Sequence, residues 1–201
     1  LDWPVSLGKP IPSTLAGQLV WWKSGPDWVL AARDLNWQGA GLNIMLDSQI
    51  QFYHSKNAPM LNLAARIAPF DFKTAKRFWL RNSMPDSSIR WLDMALVKGQ
   101  IRDASIVMAG DLGRWPFTDK AGRFSARATI LAEQFKFAAD WPEAQNAKLF
   151  TNFNGPGFTA IGTASFLGNP IELKTSGIES FAKSDLKVNV HSSSKMQTLL
   201  P

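Results

Sequence analysis

The second half of the chain alternates apolar and polar side chains with a period of two. Phe124, Ala126, Ala128 and Ile130 fall on one side of an extended segment, and Arg123, Ser125, Arg127 and Thr129 fall on the other. That alternation predicts a strand with one wet face over 123–131. The same pattern predicts strands over 101–109, 133–139, 147–153, 158–166, 171–175 and 186–190. Before it, 15–22 and 28–35 flank the turn Ser24-Gly25-Pro26-Asp27 and read as a hairpin. Further alternating segments cover 42–52 and 60–67. Most connections carry Gly, Pro, Asn or Asp, so the pattern as a whole predicts antiparallel β-structure.

Helical spacing interrupts this pattern twice. After Pro69, Asp71 is placed to cap a helix running from 72 to about 81, with Phe72, Ala75, Phe78 and Trp79 on its apolar side. Lys73, Arg77 and Arg81 follow one another at i, i+4 on a different strip, with Lys76 beside them. The segment 82–86, which contains Pro85, breaks this helix. A second helix carries Ile89, Leu92, Ala95 and Leu96 on one face, with Asp86 or Ser87 as its cap and Lys98-Gly99 as its stop. The expected organisation is an N-terminal β meander over 1–68, a helical pair over 69–99, a C-terminal β meander over 100–191 and a tail over 192–201, together one continuous unit.

Composition narrows the classes. With 201 residues and 45% hydrophobic content the chain can bury a substantial core. The absence of cysteine removes disulfides, thiolate nucleophiles and Cys-based zinc sites. The net charge of +6 is concentrated in the middle: 66–127 holds twelve Lys or Arg against six Asp, and the remainder holds ten of each sign. Such a basic middle suits nucleic acid, an anionic membrane surface or lipid headgroups, or simply a solvated face. An uncharged run over 149–171 has the length of a membrane span, but Asn152, Asn154, Gly155, Pro156, Gly157, Asn169 and Pro170 break it into turn-linked pieces. The chain begins with Leu1 rather than Met and reads as a segment of a longer protein.

Candidate chemistry is sparse. The two histidines, His54 and His191, have no second His or carboxylate at ligand spacing, and no G-x-S-x-G elbow is present. Gly155, Gly157 and Ala160 satisfy G-x-G-x-x-A, but Phe158 onward alternates as a strand where a dinucleotide site needs a helix start, so a β-turn is expected. Phe124 and Arg123, like Phe135 and Lys136, stand on opposite faces of their strands, which disfavours a single-strand nucleic-acid platform. No cofactor and no metal are expected, and the chain does not read as an enzyme. Of the nine Trp, Trp21, Trp28, Trp79 and Trp91 lie on or beside apolar faces, whereas Trp115 and Trp141, each before a Pro in a loop context, are harder to bury by pattern alone. Periodicity alone leaves two architectures open. One is a closed β-sandwich, a binding or scaffold module of the cell envelope that could grip a glycan with Trp115 and Trp141. The other is a sheet whose apolar face stays open as a trough.

A series of short motifs separates them. W-L-x-x-A-L-V-x-G (Trp91 to Gly99), then G-D-L-x-x-W-P-F (Gly110 to Phe117), G-R-F (Gly122 to Phe124) and D-W-P (Asp140 to Pro142) occur in that order. Together they resemble the periplasmic AsmA-like proteins, most of all the YhdP branch, relatives of TamB. The resemblance implies an internal segment of an inner-membrane-anchored periplasmic protein. It implies an elongated, curved antiparallel sheet, interrupted by the helical pair, whose hydrophobic groove carries phospholipid between inner and outer membranes. On that reading Phe124, Ala126, Ile130, Phe158, Ala160, Ala164 and Phe166 line the groove, and Lys73, Lys76, Arg77 and Arg81 are candidates to meet headgroups at its rim.

Overall fold

The computed structural model describes residues 11–55, 58–78, 86–115, 117, 119–138, 140–154, 157–176 and 187–192. The alternating segments become strands β1 (Ser13–Ser24), β2 (Asp27–Gly39), β3 (Leu42–Phe52) and β4 (Met60–Ile67). A two-residue strand β5 (Phe70–Asp71), a single helical turn α1 (Phe72–Ala75) and the helix α2 (Asp86–Ala95) follow. The chain then returns to strands in β6 (Leu96–Asp111), β7 (Gly122–Phe135), β8 (Ala144–Asn154), β9 (Gly157–Phe166), β10 (Asn169–Ser176) and β11 (Lys187–Ser192).

All these strands belong to one open antiparallel sheet. They pair in sequence order from β1 to β11, except that β4 pairs directly with β6 and β5 extends the same side of β6. The sheet therefore runs straight through the helical insertion. Short turns set its register. Ala40 and Gly41 between β2 and β3, and Leu167 and Gly168 between β9 and β10, both take positive φ, as two-residue hairpin loops with the right twist require. A bulge at Asp34 interrupts the pairing of β2 with β3, and the Asp47 carboxylate closes it by accepting from the Asp34 N–H at 2.9 Å.

Three elements differ from the sequence expectation. The strand expected over 133–139 does not form as a separate element in its described part, 133–138, because β7 continues through Phe135 and the chain then bends; residue 139 lies outside the described residues. The first helix is one α turn extended by a 3₁₀ turn over Lys76–Phe78, and the rest of the expected helix, with Trp79 and Arg81, lies outside the described residues. Gly99 does not end a helix. It sits inside β6 opposite Ala132, at a point where any Cβ would meet the Leu131 carbonyl oxygen and the ring of Phe72.

The helical elements cover only one end of one face. Phe72, Ala95 and Leu96 pack with Ala132, Phe135, Ala144, Ala147, Leu149, Ala164, Ile171 and Leu173 to form the core, with Trp91 and Phe137 against its side. Hydrogen bonds sew the helices to the sheet: Lys136 N–H donates to the Ala95 carbonyl at 3.0 Å, and Trp91 Nε1 donates to the Phe137 carbonyl at 3.0 Å. Phe72 is 2% exposed and central to this cluster. Phe72→Ala is expected to cost about 3–5 kcal/mol, read as a lowered midpoint in urea denaturation.

Candidate functional site

Cross-strand register arranges the apolar face in rows. One row reads Leu35, Leu46, Ala65, Ile106, Ala126, Phe153 and Phe158, one residue from each of β2, β3, β4, β6, β7, β8 and β9. Every side chain in it is apolar. At ~4.8 Å per strand the row spans about 29 Å. A neighbouring row reads Leu19, Ala32, Ser48, Leu63, Met108 and Phe124, and Ser48 is its one polar member. The opposite face carries Arg66, Ser105, Arg127, Asn152 and Thr159 in a matching row. The two faces differ in polarity along these rows, although the opposite face also carries exposed Met45, Val107, Phe150 and Ile161.

Among the described residues no helix covers the middle of the apolar face, and near both ends of the strands it is capped by the same device, an aromatic ring over a pair of small residues. At one end Phe72 lies over Gly99 and Ala132. At the other Phe117 lies over the paired Gly110 and Gly122, so close that a Cβ on Gly122 would sit 2.4 Å from its ring. Phe117 is 5% exposed. Trp115 stands beside it, edge-on to Phe117 at 5.4 Å and to Phe124 at 5.1 Å between ring centroids. Between the two ends the floor carries Ala126, Ala128, Ile106, Leu63, Phe153 and Phe158, all half-buried with no described helix above them. From Phe124 to Ile130 the strand rises roughly 20 Å, which is the width of the face between these two ends.

The loop carrying Trp115 is tied down by its own polar groups. The Asp111 carboxylate accepts from the Gly113 N–H at 2.9 Å, and Phe117 N–H donates to the Arg114 carbonyl at 2.7 Å. Asp119 accepts from the Ala121 N–H at 2.9 Å and pairs with Arg114. The Ala121 N–H, and then Arg114, hold the Asp119 carboxyl below the usual aspartate value. Because the folded pKa is depressed, this contribution is present above the unfolded pKa and is lost as pH falls through the folded one. The loop is therefore expected to keep its shape at neutral and mildly acidic pH and to loosen only in stronger acid. NMR titration of the Ala121 amide checks this, and a midpoint at or above the ordinary aspartate value would contradict it. Asp71 follows the same rule, lowered by hydrogen bonds from Thr74 where it caps α1.

The expected lining residues divide between two regions. Ala126, Phe158 and Phe124 lie half-buried on the apolar face away from the helices, with Trp115 beside Phe124, whereas Ala160, on the same face, is buried. Ile130, Ala164 and Phe166 lie at the helix-covered end, where Ala164 belongs to the buried core and the other two pack against it. Of the basic strip, Lys73 is exposed, Lys76 donates to the Asp93 carbonyl at 2.7 Å and Arg77 donates to the Ala40 carbonyl at 3.4 Å. Trp115 and Trp141 stand at opposite ends of the strands, with Trp141 beside Phe166, so they form no shared platform for a sugar. Ile106, Leu63 and Phe153 are not among the expected lining residues; strand pairing across the sheet puts them on the same face. A depression of about 280 Å³ lined by Gln100, Leu131, Glu133 and Lys148 lies on the polar face and is separate from the trough. Among the described residues no group of three His, Asp or Glu could hold a metal ion, and no helix is long and apolar enough to cross a membrane.

The family model described as YhdP protein matches residues 1–201. The intermembrane phospholipid transporter YhdP of Escherichia coli (strain K12) is 25% identical over 103 residues, which is 51% of this chain and 8% of that protein. The chain therefore aligns with a small part of that relative's length. No solved structure matches the chain.

Proposed function

Given that the chain belongs to the YhdP family, we propose that its open apolar face carries the acyl chains of phospholipid, as one segment of a bridge between inner and outer membranes. The observation that carries this is the row from Leu35 to Phe158, seven strands wide and wholly apolar. Each acyl methylene moved from water onto such a floor gains about 0.8 kcal/mol. The gain has no preferred direction along the row, so a lipid can slide without any catalytic group. Ala126, Ala128 and Ala160 keep the floor low enough to admit chains, and Phe124 and Phe158 give it apolar area. Ile130, Ala164 and Phe166 support the floor where it meets the helices. Lys73 is the freest of the basic residues to meet a headgroup at that rim, with Lys76 and Arg77 as secondary contacts; Arg81, outside the described residues, completes the proposed strip.

The edge of the sheet supports a longer path. β1 is exposed along its full length, and Trp21, in the row that continues through Leu30, Ile50 and Leu61, is 68% exposed. A bare apolar edge of this kind is suited to pairing with a further strand, which would extend the trough. The name of the Escherichia coli relative, an intermembrane phospholipid transporter, supports phospholipid as cargo and a setting between two membranes; the periplasm, within an inner-membrane-anchored protein, is the location this reading assigns. Native mass spectrometry of the gently purified full-length protein tests the reading. Bound phospholipid is the expected result, and a protein that is empty in repeated mild preparations overturns it.

A further inference from the structure

Trp115 differs from the other aromatic residues of the trough. Its neighbour Phe117 is buried over Gly110 and Gly122 and acts as an anchor, whereas Trp115 is 44% exposed. Its ring leans edge-on against Phe124, whose side chain belongs to the apolar face. Its indole N–H meets no acceptor among the described residues. The loop cannot easily swing it away, because the Asp111 and Asp119 carboxylates, the Arg114–Asp119 pair and the Phe117 anchor all hold the backbone on either side. A fixed, partly exposed indole that leans on an apolar residue and whose N–H has no acceptor among the described residues is the arrangement that suits the boundary between acyl chains and polar headgroups. Lys120, exposed in the same loop, adds a cation on the wet side.

From this we infer that Trp115 is a lipid-contact residue forming the lip of the trough on the side opposite the helices. Its ring confines the acyl chains to the stripe between Phe124 and Ile130. Its N–H and the Lys120 ammonium face the ester and phosphate oxygens of the headgroup. The inference rests on the lipid-transfer reading above and assigns the position at which a lipid's polar end leaves the floor.

The test uses the full-length protein with the photoreactive amino acid p-benzoylphenylalanine placed singly at 115, 126 or 107, and phospholipid adducts are read by mass spectrometry. Position 126 samples the floor, and Val107 projects from the polar face. Adducts at 115 and 126 but not at 107 are expected. Adducts at 126 alone overturn the lip and leave the transfer reading intact, whereas adducts at none of the three, or equally at all three, overturn both. A second measurement follows the adduct yield at 126 in Trp115→Ala and Trp115→Phe. Loss of the ring is expected to lower that yield about tenfold, and Trp115→Phe, which keeps a ring but no N–H, about threefold. An unchanged yield in Trp115→Ala removes the lip even where position 115 itself forms adducts.

Discussion

Ala126→Asp in the full-length protein is expected to abolish phospholipid occupancy of this segment while leaving its fold in place. Ala126 is half-buried in the middle of the open floor, within the row from Leu35 to Phe158, so a carboxylate there stays hydrated when the trough is empty. A lipid chain laid over it would strip that hydration, and an unpaired buried carboxylate costs several kcal/mol, enough for a loss of roughly a hundredfold or more. Ser125→Asp is the matched control. It is the adjacent residue, it points to the polar face, and it pairs with Val107 and Asn154. Lipid adducts at a photoreactive residue at position 128 are the readout. Equal adduct yield from the two variants would show that acyl chains do not run over this face.

The largest expected effect on stability belongs to Gly99→Val. The φ of Gly99 is +150°, in a region that side chains rarely adopt. A Cβ at this site would lie 2.2 Å from the Leu131 carbonyl oxygen and 2.8 Å from the Phe72 ring. Neither can give way cheaply, since one is backbone in the paired strand and the other fills the core. The substitution must part β6 from β7 or lift Phe72 off the sheet, and a loss of more than about 3 kcal/mol follows. Urea denaturation of wild type and variant measures it. Gly25→Ala offers a comparison: its φ is also positive but nothing lies within 4 Å of the added Cβ, so only the backbone strain of about 1–2 kcal/mol is expected. Near-equal losses for the two variants would mean that the close approach of Phe72 is not what requires glycine at 99.

Gly99 also marks where local sequence misleads. Lys98-Gly99 after an apolar helical stretch satisfies every local cue for a helix stop, and α2 does end at Ala95. The glycine, however, answers to a distant demand, the seating of Phe72 on the sheet, which local cues cannot carry. Residues 133–139 misled in a similar way. Glu133 pairs with Lys98 beside a register shift, and Phe135 turns into the core with Phe72 and Ala144, so the apparent alternation there is the tail of β7 rather than a new strand.

Alternation along the chain was enough to determine that this protein is an antiparallel β-structure with one oily and one polar face. A side chain's face depends only on the parity of its position within a strand, and parity is a local property. The ordered motifs from Trp91 to Pro142 were enough to identify the family. Only the tertiary structure decided which oily residues are covered. Ala126 and Ala164 look alike in sequence, yet one is half-buried on the face with no described helix above it and the other belongs to the buried core around Phe72, because cover depends on where Phe72 and Phe117 come to rest. Those resting places are set by glycines and alanines paired across β6 and β7, more than twenty residues away in the case of Phe72 and Gly99, and no pattern confined to one strand encodes them.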